Sequence, residues 1–328
     1  MSEIKSGRRR LSNLLAGATV SAISLLGASL ARASCSSSSS TTFTTISRQN
    51  GTIKTCWYVV TSEGAAISVA DGTLINTAGG SYRGDAFDGA MNVHIFPSGD
   101  TDSIPLESAT LDAIPTVVNN SPNGGSVSGA ASVRVIDQDL GVDFSLVFAS
   151  DAARVDGTFV IRNNSLSQFT GFVGIRTNFG SDDETVVEAT SSGDTTVATG
   201  DTWVVTSEDN SEAPDSDPII ISAVTSAGAT VGPRTDLDGN DELVWRTAVD
   251  LAPGETATVS ASHCLFETIA EATEAAQAGN CAGATTTGAT GGEKAIPTLT
   301  NPALLALAVL TGLLGAGNLQ RRRESNKG

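Results

Sequence analysis

Val142-Asp143-Phe144-Ser145-Leu146-Val147-Phe148 is the stretch that decides the fold. Apolar side chains at 142, 144, 146 and 148 are spaced by Asp143, Ser145 and Val147, a period of two that places one set on one face of a strand. Val244-Trp245-Arg246-Thr247-Ala248-Val249 has a similar rhythm. Working outward, further short β-type runs lie at Cys56–Thr61, Ala66–Ala70, Asn92–Phe96, Ser132–Asp137, Gly157–Arg162, Gly171–Asn178, Thr185–Thr190, Thr202–Thr206, Ile219–Val224 and Glu255–Ser262. Gly, Asp, Asn and Ser separate them, at roughly ten-residue spacing. Asp71-Gly72 and Asp156-Gly157 read as turns, and Leu251-Ala252-Pro253-Gly254-Glu255 as a bend before a last strand. Ser98 to Gly129 reads as a loop-rich insertion or a join between halves. No long amphipathic helix precedes residue 265. The pattern predicts an all-β body, a β-sandwich of residues 55–281 built as one unit or two sub-sandwiches, with one C-terminal helix.

That helix is expected from Leu265 to Gly279, with Leu265, Ile269, Thr273 and Ala276 on one face and Gly279 as its stop. Its ends would lie about 20 Å apart. Four cysteines, Cys35, Cys56, Cys264 and Cys281, are disulfide candidates in an exported chain. Since a disulfide needs Cα atoms within about 7 Å, the helix favours pairing Cys264 and Cys281 with Cys35 and Cys56. The competing pairing is Cys35 with Cys56 and a distorted helix.

Both chain ends read as addresses. Arg8-Arg9-Arg10 is a basic start, Leu11 to Leu30 is mostly small and apolar, and Ala31-Arg32-Ala33 is a cleavage site defined by Ala31 and Ala33. Residues 1–33 are thus a signal peptide read by the export machinery, with a signal helix. Residues 34–54 are a Ser/Thr-rich leader, and 282–295 a Gly/Ala/Thr linker. At the far end, Ala303 to Leu319 carries no charge. As a transmembrane helix, 303–319 spans roughly 25 Å, and about 31 Å when counted from Leu299. Arg321, Arg322 and Arg323 then act as a stop that keeps the C-terminus cytoplasmic and the body outside.

Ile296-Pro297-Thr298-Leu299, followed by an apolar helix and an arginine cluster, resembles the IPTL-CTERM sorting signal of bacterial surface proteins. The resemblance covers residues 296–328. It implies processing by an integral-membrane, exosortase-type cysteine transpeptidase that cuts near the motif and passes the protein to the cell exterior. The family pattern continues with Trp-Gly two residues later, whereas here Thr300-Asn301-Pro302-Ala303 follows.

Charge narrows the partners. The chain carries 19 Lys and Arg against 36 Asp and Glu, a net of −17. Nine of the basic residues but only Glu3 and Glu324 of the acids fall in the two terminal segments, so the stretch from Ser34 to Lys294 holds 10 and 34, a net of −24. Nucleic acid is excluded as a partner, because phosphate contact needs the opposite sign. No G-x-S-x-G, P-loop, H-E-x-x-H or C-x-x-C motif occurs. The two histidines, His94 and His263, sit in no catalytic pattern. His263 beside Cys264 is a poor nucleophile pair, since neighbours in a strand point apart. Asp236, Asp238, Asn240, Asp241 and Glu242, with Gly239, resemble a calcium loop, although the glycine is fourth rather than sixth. The bland alternative is a solvated turn. No other cofactor is expected.

These readings describe an exported, acidic surface or extracellular-matrix protein with a structural or adhesive role, a membrane contact through its tail, and a surface polysaccharide among its expected partners. A secreted carbohydrate-active enzyme and a calcium-stabilised binding module are the alternatives.

Overall fold

The structure, a computed structural model, describes residues 35, 42–98, 107–135, 137–181, 185–208, 216–232, 235–237 and 241–281. The signal peptide, the linker, and the sorting tail with its helix and arginines lie outside the described residues. In chain order the strands are β1 (Phe43–Asn50), β2 (Ile53–Val60), β3 (Val69–Asn76), β4 (Ser81–Arg83), β5 (Phe87–Pro97), β6 (Glu107–Ser108), β7 (Thr110–Leu111), β8 (Thr116–Asn119) and β9 (Gly125–Val135). There follow β10 (Gln138–Phe148), β11 (Arg154–Asn163), β12 (Phe169–Phe179), β13 (Thr185–Thr190), β14 (Trp203–Glu208), β15 (Ile219–Val224), β16 (Thr230–Val231), β17 (Glu242–Leu251) and β18 (Thr256–Phe266), then a helix α1 (Ile269–Gln277).

One antiparallel sheet runs β1-β2-β3-β5-β12-β17-β16, with β4 on β3 and β6 on β5. The other runs β13-β14-β15-β18-β11-β10-β9-β7, with β8 on β9. The all-β sandwich is therefore the observed fold. The chain changes sheet between β6 and β7, on both sides of β12, between β15 and β16, and between β17 and β18. Such interleaving leaves no seam at which the described strands would divide into two sub-sandwiches. The main core draws Trp57, Phe87 and Trp245 from the first sheet and Phe148, Phe159 and Val259 from the second.

The deciding stretch behaves as its period dictates. Leu140, Val142, Phe144, Leu146 and Phe148 are buried, while Val147 is 45% exposed. Phe144 lies opposite Phe159 on β11 and Gly129 on β9, so the central meander is in register face to face. Burying each aliphatic side chain contributes about 1.5–3 kcal/mol.

Several expectations are corrected. Asp71-Gly72 and Asp156-Gly157 are not turns but lie inside β3 and β11. Each glycine faces the other sheet at a point of close approach. A Cβ on Gly72 would stand 3.1 Å from Leu265 Cδ1 and from Trp57 Cζ3, and one on Gly157 2.8 Å from Met91 Sδ. The missing side chain is room for a neighbour. The supposed leader contributes β1, which pairs along its length with β2 and buries Ile46. Its Thr-rich composition masked β-branched residues that suit a strand. Part of the supposed Ser98–Gly129 loop forms β8 and the start of β9.

The disulfide pairing also differs from the favoured one. Cys35 bonds Cys56 and Cys264 bonds Cys281, with Cα separations of 5.8 and 6.0 Å. Two features bring Cys264 and Cys281 together. Strand β18 continues through Phe266, so α1 has nine residues and is about 13 Å long. The extended residues that follow Cys264 carry the chain away, and the helix carries it back. Thr268 caps the start by accepting the Glu271 N–H at 3.2 Å, and Gly279 ends it at φ 72°. Cys281 then comes to Ile221 on β15, whose register partner is Cys264. Ala272 and Ala276 pack with Val205, Ile219, Ile221 and Ala223 in a second, smaller core beneath the helix.

One carboxylate in the fold sets a pH response. Burial pushes Asp71 up to about 6; neighbouring Asp85 adds to this, while N–H groups of Gly72, Ala86 and Phe87 act in the opposite sense. Its folded pKa lies above the unfolded value, so its contribution is present below about pH 4 and lost as pH rises through about 6. The amplitude is at most about 3 kcal/mol. Gly72 and Ala86 both donate to Oδ1, which an asparagine can reproduce. Urea titrations from pH 4 to 8 should therefore show a flatter profile for Asp71→Asn than for the natural protein. Parallel profiles would contradict this origin.

Candidate functional site

The connection from β13 to β14, residues 191–202, is held in shape by two carboxylates. Asp201 is buried. Its Oδ1 accepts from Ser191 Oγ at 2.9 Å and from the Ser192 N–H at 3.0 Å, and its Oδ2 from the Ala198 N–H at 2.8 Å. Burial alone would raise its pKa, but these bonds to the charged form together hold it below the usual carboxylate range. Asp194 accepts from the Thr196 N–H and from Thr190 Oγ1, both at 3.0 Å, which lowers its pKa as well.

So braced, the loop presents Thr195, Thr196, Val197 and Thr199 to a cavity of about 550 Å³. The facing wall comes from β16 and the turn that follows it, including Val231, Thr235 and Asp236, and from Arg246 of β17. Strands β13 and β16 are edges of different sheets. The cavity opens where the rim of one sheet meets the rim of the other.

Arg246 supplies the chemistry. It lies on β17 between Gly174 of β12 and Thr230 of β16. Its guanidinium carbon sits 4.3 Å from the centre of the Phe172 ring, a cation–π contact of about 0.5–2 kcal/mol. Among the described residues, Arg134, Arg154, Arg162 and Arg176 each meet an acid, and Arg48 and Arg83 donate to main-chain carbonyls. Arg246 does neither, and its Nε has no hydrogen-bond partner. Ring contact supports the guanidinium, and no hydrogen bond from its N–H groups is made among the described residues.

The predicted calcium residues fare differently from one another. Asp238 and Asn240 lie outside the described residues. Asp236 and Glu242 pair through their main chains, each N–H reaching the other's carbonyl at 2.9 Å. Asp241, at φ 52°, turns its Oδ1 onto the Thr185 N–H and hydroxyl at 3.0 and 2.9 Å. Glu242 forms an ion pair with Arg176. Among the described members of this set, only Asp236 lines the cavity. Among the described residues no group of three or more His, Cys, Asp and Glu could hold a metal. With Asp241 and Glu242 already committed to Thr185 and Arg176, the melting temperature should not change between calcium and a chelator. A rise with calcium would return the turn to metal binding.

His263 is fully buried and driven down to about 3, chiefly by burial, so it is neutral at physiological pH. Its Nε2 meets Thr177 Oγ1 at 2.9 Å, and its ring lies 5.3 Å from that of Phe87. Cys264 beside it is in a disulfide. His94 is buried on β5. Among the described residues no group of three or more His, Cys, Asp and Glu includes either histidine. Ala31 and Ala33, Ile296 to Leu299, and Arg321 to Arg323 all lie outside the described residues. Among the described residues no helix is long and apolar enough to cross a membrane.

Sequence reasoning missed the cavity. Its legible signal was Arg246, a cation that follows the buried Val244-Trp245 pair in an acid-rich body; the bracing by Asp194 and Asp201 had none.

No family model matches the chain, and no curated protein does either. Among solved structures it is similar to a galactose mutarotase-like protein from Lactobacillus casei, at 9% identity and a TM-score of 0.41, covering 68% of this chain and 100% of that one. It is also similar to a heparan sulfate lyase from Pedobacter heparinus, at 12% identity and 0.41, covering 69% of this chain and 35% of that one. A 4-alpha-glucanotransferase from Thermococcus litoralis matches at 7% identity and 0.39, over 67% and 37%. At such identities and scores no site residue is carried over.

Proposed function

We propose that this chain is an exported acidic surface or extracellular-matrix protein, held or released through its C-terminal tail, whose sandwich has a structural or adhesive role. The observation that carries the reading is where the disulfides stand. Cys35 comes two residues after the expected cleavage at Ala33, and Cys281 immediately before the linker at 282. Each end of the body is thus closed by a covalent loop at the point where the chain leaves it. Tension applied at either junction passes through the disulfide to Cys56 on β2 or Cys264 on β18. Disulfides persist in oxidising compartments, as an exported body requires, and the net charge of −24 favours solubility there.

The test is fractionation of the native host with an antibody to the sandwich. The protein should be found in the envelope or the medium, with no thiol that reacts before reduction. A cytosolic protein with free thiols would overturn it. A second reading, binding of carbohydrate, is favoured by the hydroxyl-rich cavity beneath Arg246.

A further inference from the structure

We propose that the cavity between β13 and β16 binds an acidic sugar, with Arg246 taking the carboxylate of a uronic-acid residue. The inference rests on the adhesive reading of the body and names its ligand class.

Three observations support it. The first is the unspent cation. In a body with 34 acids against 10 bases, an arginine that lines a cavity and, among the described residues, makes neither an ion pair nor a hydrogen bond to a carbonyl is out of keeping with the other arginines. A guanidinium whose carbon sits 4.3 Å from the Phe172 ring centre is supported on one side by that ring, and the planar fork of N–H groups that any arginine carries can grip both oxygens of a carboxylate. A neutral polysaccharide would need no such group.

The second is the rest of the lining. Thr195, Thr196, Thr199 and Thr235 bring hydroxyls that donate and accept, as ring hydroxyls require, while Val187 and Val197 provide apolar surface for the C–H faces of a sugar; Asp236 also lines the wall, its main chain paired with Glu242, and can accept from a ring hydroxyl. The third is form. A volume of about 550 Å³ lies within the range of small-ligand sites. The threonine wall is fixed in advance by Asp194 and Asp201, so binding spends little on ordering it.

The full chain should be titrated calorimetrically with sodium D-galacturonate and, in parallel, with D-galactose. The expected result is saturable galacturonate binding at least about tenfold tighter than galactose, lowered by about tenfold or more in Arg246→Ala. Arg246→Lys should lose much of this too, since an ammonium keeps the charge but not the fork. Thermal melting of each variant checks its fold; if Arg246→Ala is unfolded, Arg246→Lys decides. Equal affinity for the two sugars, unchanged binding in a folded variant, or no galacturonate binding by the natural protein would each overturn the proposal. None of these depends on where the protein resides, so failure here is distinguishable from failure of the export reading.

Discussion

Trp57→Ala is expected to lower the unfolding free energy by about 3–5 kcal/mol, the largest effect of any single side chain considered. Trp57 is fully buried on β2. Its ring centre lies 5.9 Å from that of Phe148, on the opposite sheet, and 6.5 Å from that of Phe87. The space left open by Gly72 receives the same ring. Truncation therefore opens a cavity in the middle of the sandwich, where neither sheet can close in without disturbing the other. The indole N–H has no hydrogen-bond partner among the described residues, so the loss is one of packing. Trp57→Phe, which removes that N–H and keeps an aromatic ring, should cost less than half as much. Urea unfolding followed by circular dichroism reads both. A cost below about 1 kcal/mol for the alanine variant would mean that the two sheets do not share the core described.

The second large effect is at the C-terminal staple. Replacing Cys264 and Cys281 together by serine opens a 17-residue span and should cost about 3 kcal/mol by chain entropy. For a body of this size that corresponds to a fall of about 6–12 °C in melting temperature. The loss has a local component too. Helix α1 is held over β14, β15 and β18 by a small core centred on Ala272 and Ala276, and nine residues make a marginal helix alone. Without the bond, limited proteolysis should cut first near α1. An unchanged melting curve in the double variant would deprive the staple of the role given to it.

What the sequence disclosed follows from its periodicities. β10 was legible because Val142 to Phe148 alternates over a full strand, and β17 because Val244 to Val249 does so in part. Short strands such as β6, β7 and β16 have two residues each, too few to express any period. Glycines misled where a local rule met a tertiary demand: Asp71-Gly72 and Asp156-Gly157 have turn composition, yet their glycines make room for Trp57 and Met91. The cysteine pairing was misread because a periodic run at 265–279 hid the handover from β18 to α1 at Phe266. The cavity joins Thr195 to Arg246 across two sheet rims, a contact no local pattern encodes.

The mature protein is proposed to be an oxidised sandwich, exported and processed at both ends. Intact-mass spectrometry of the mature protein from its native host, run without reduction, tests it most directly. The expected mass begins at Ser34, ends near Ile296 and carries both disulfides. A mass that retains the signal segment and the tail through Arg323, with reduced cysteines, would contradict it.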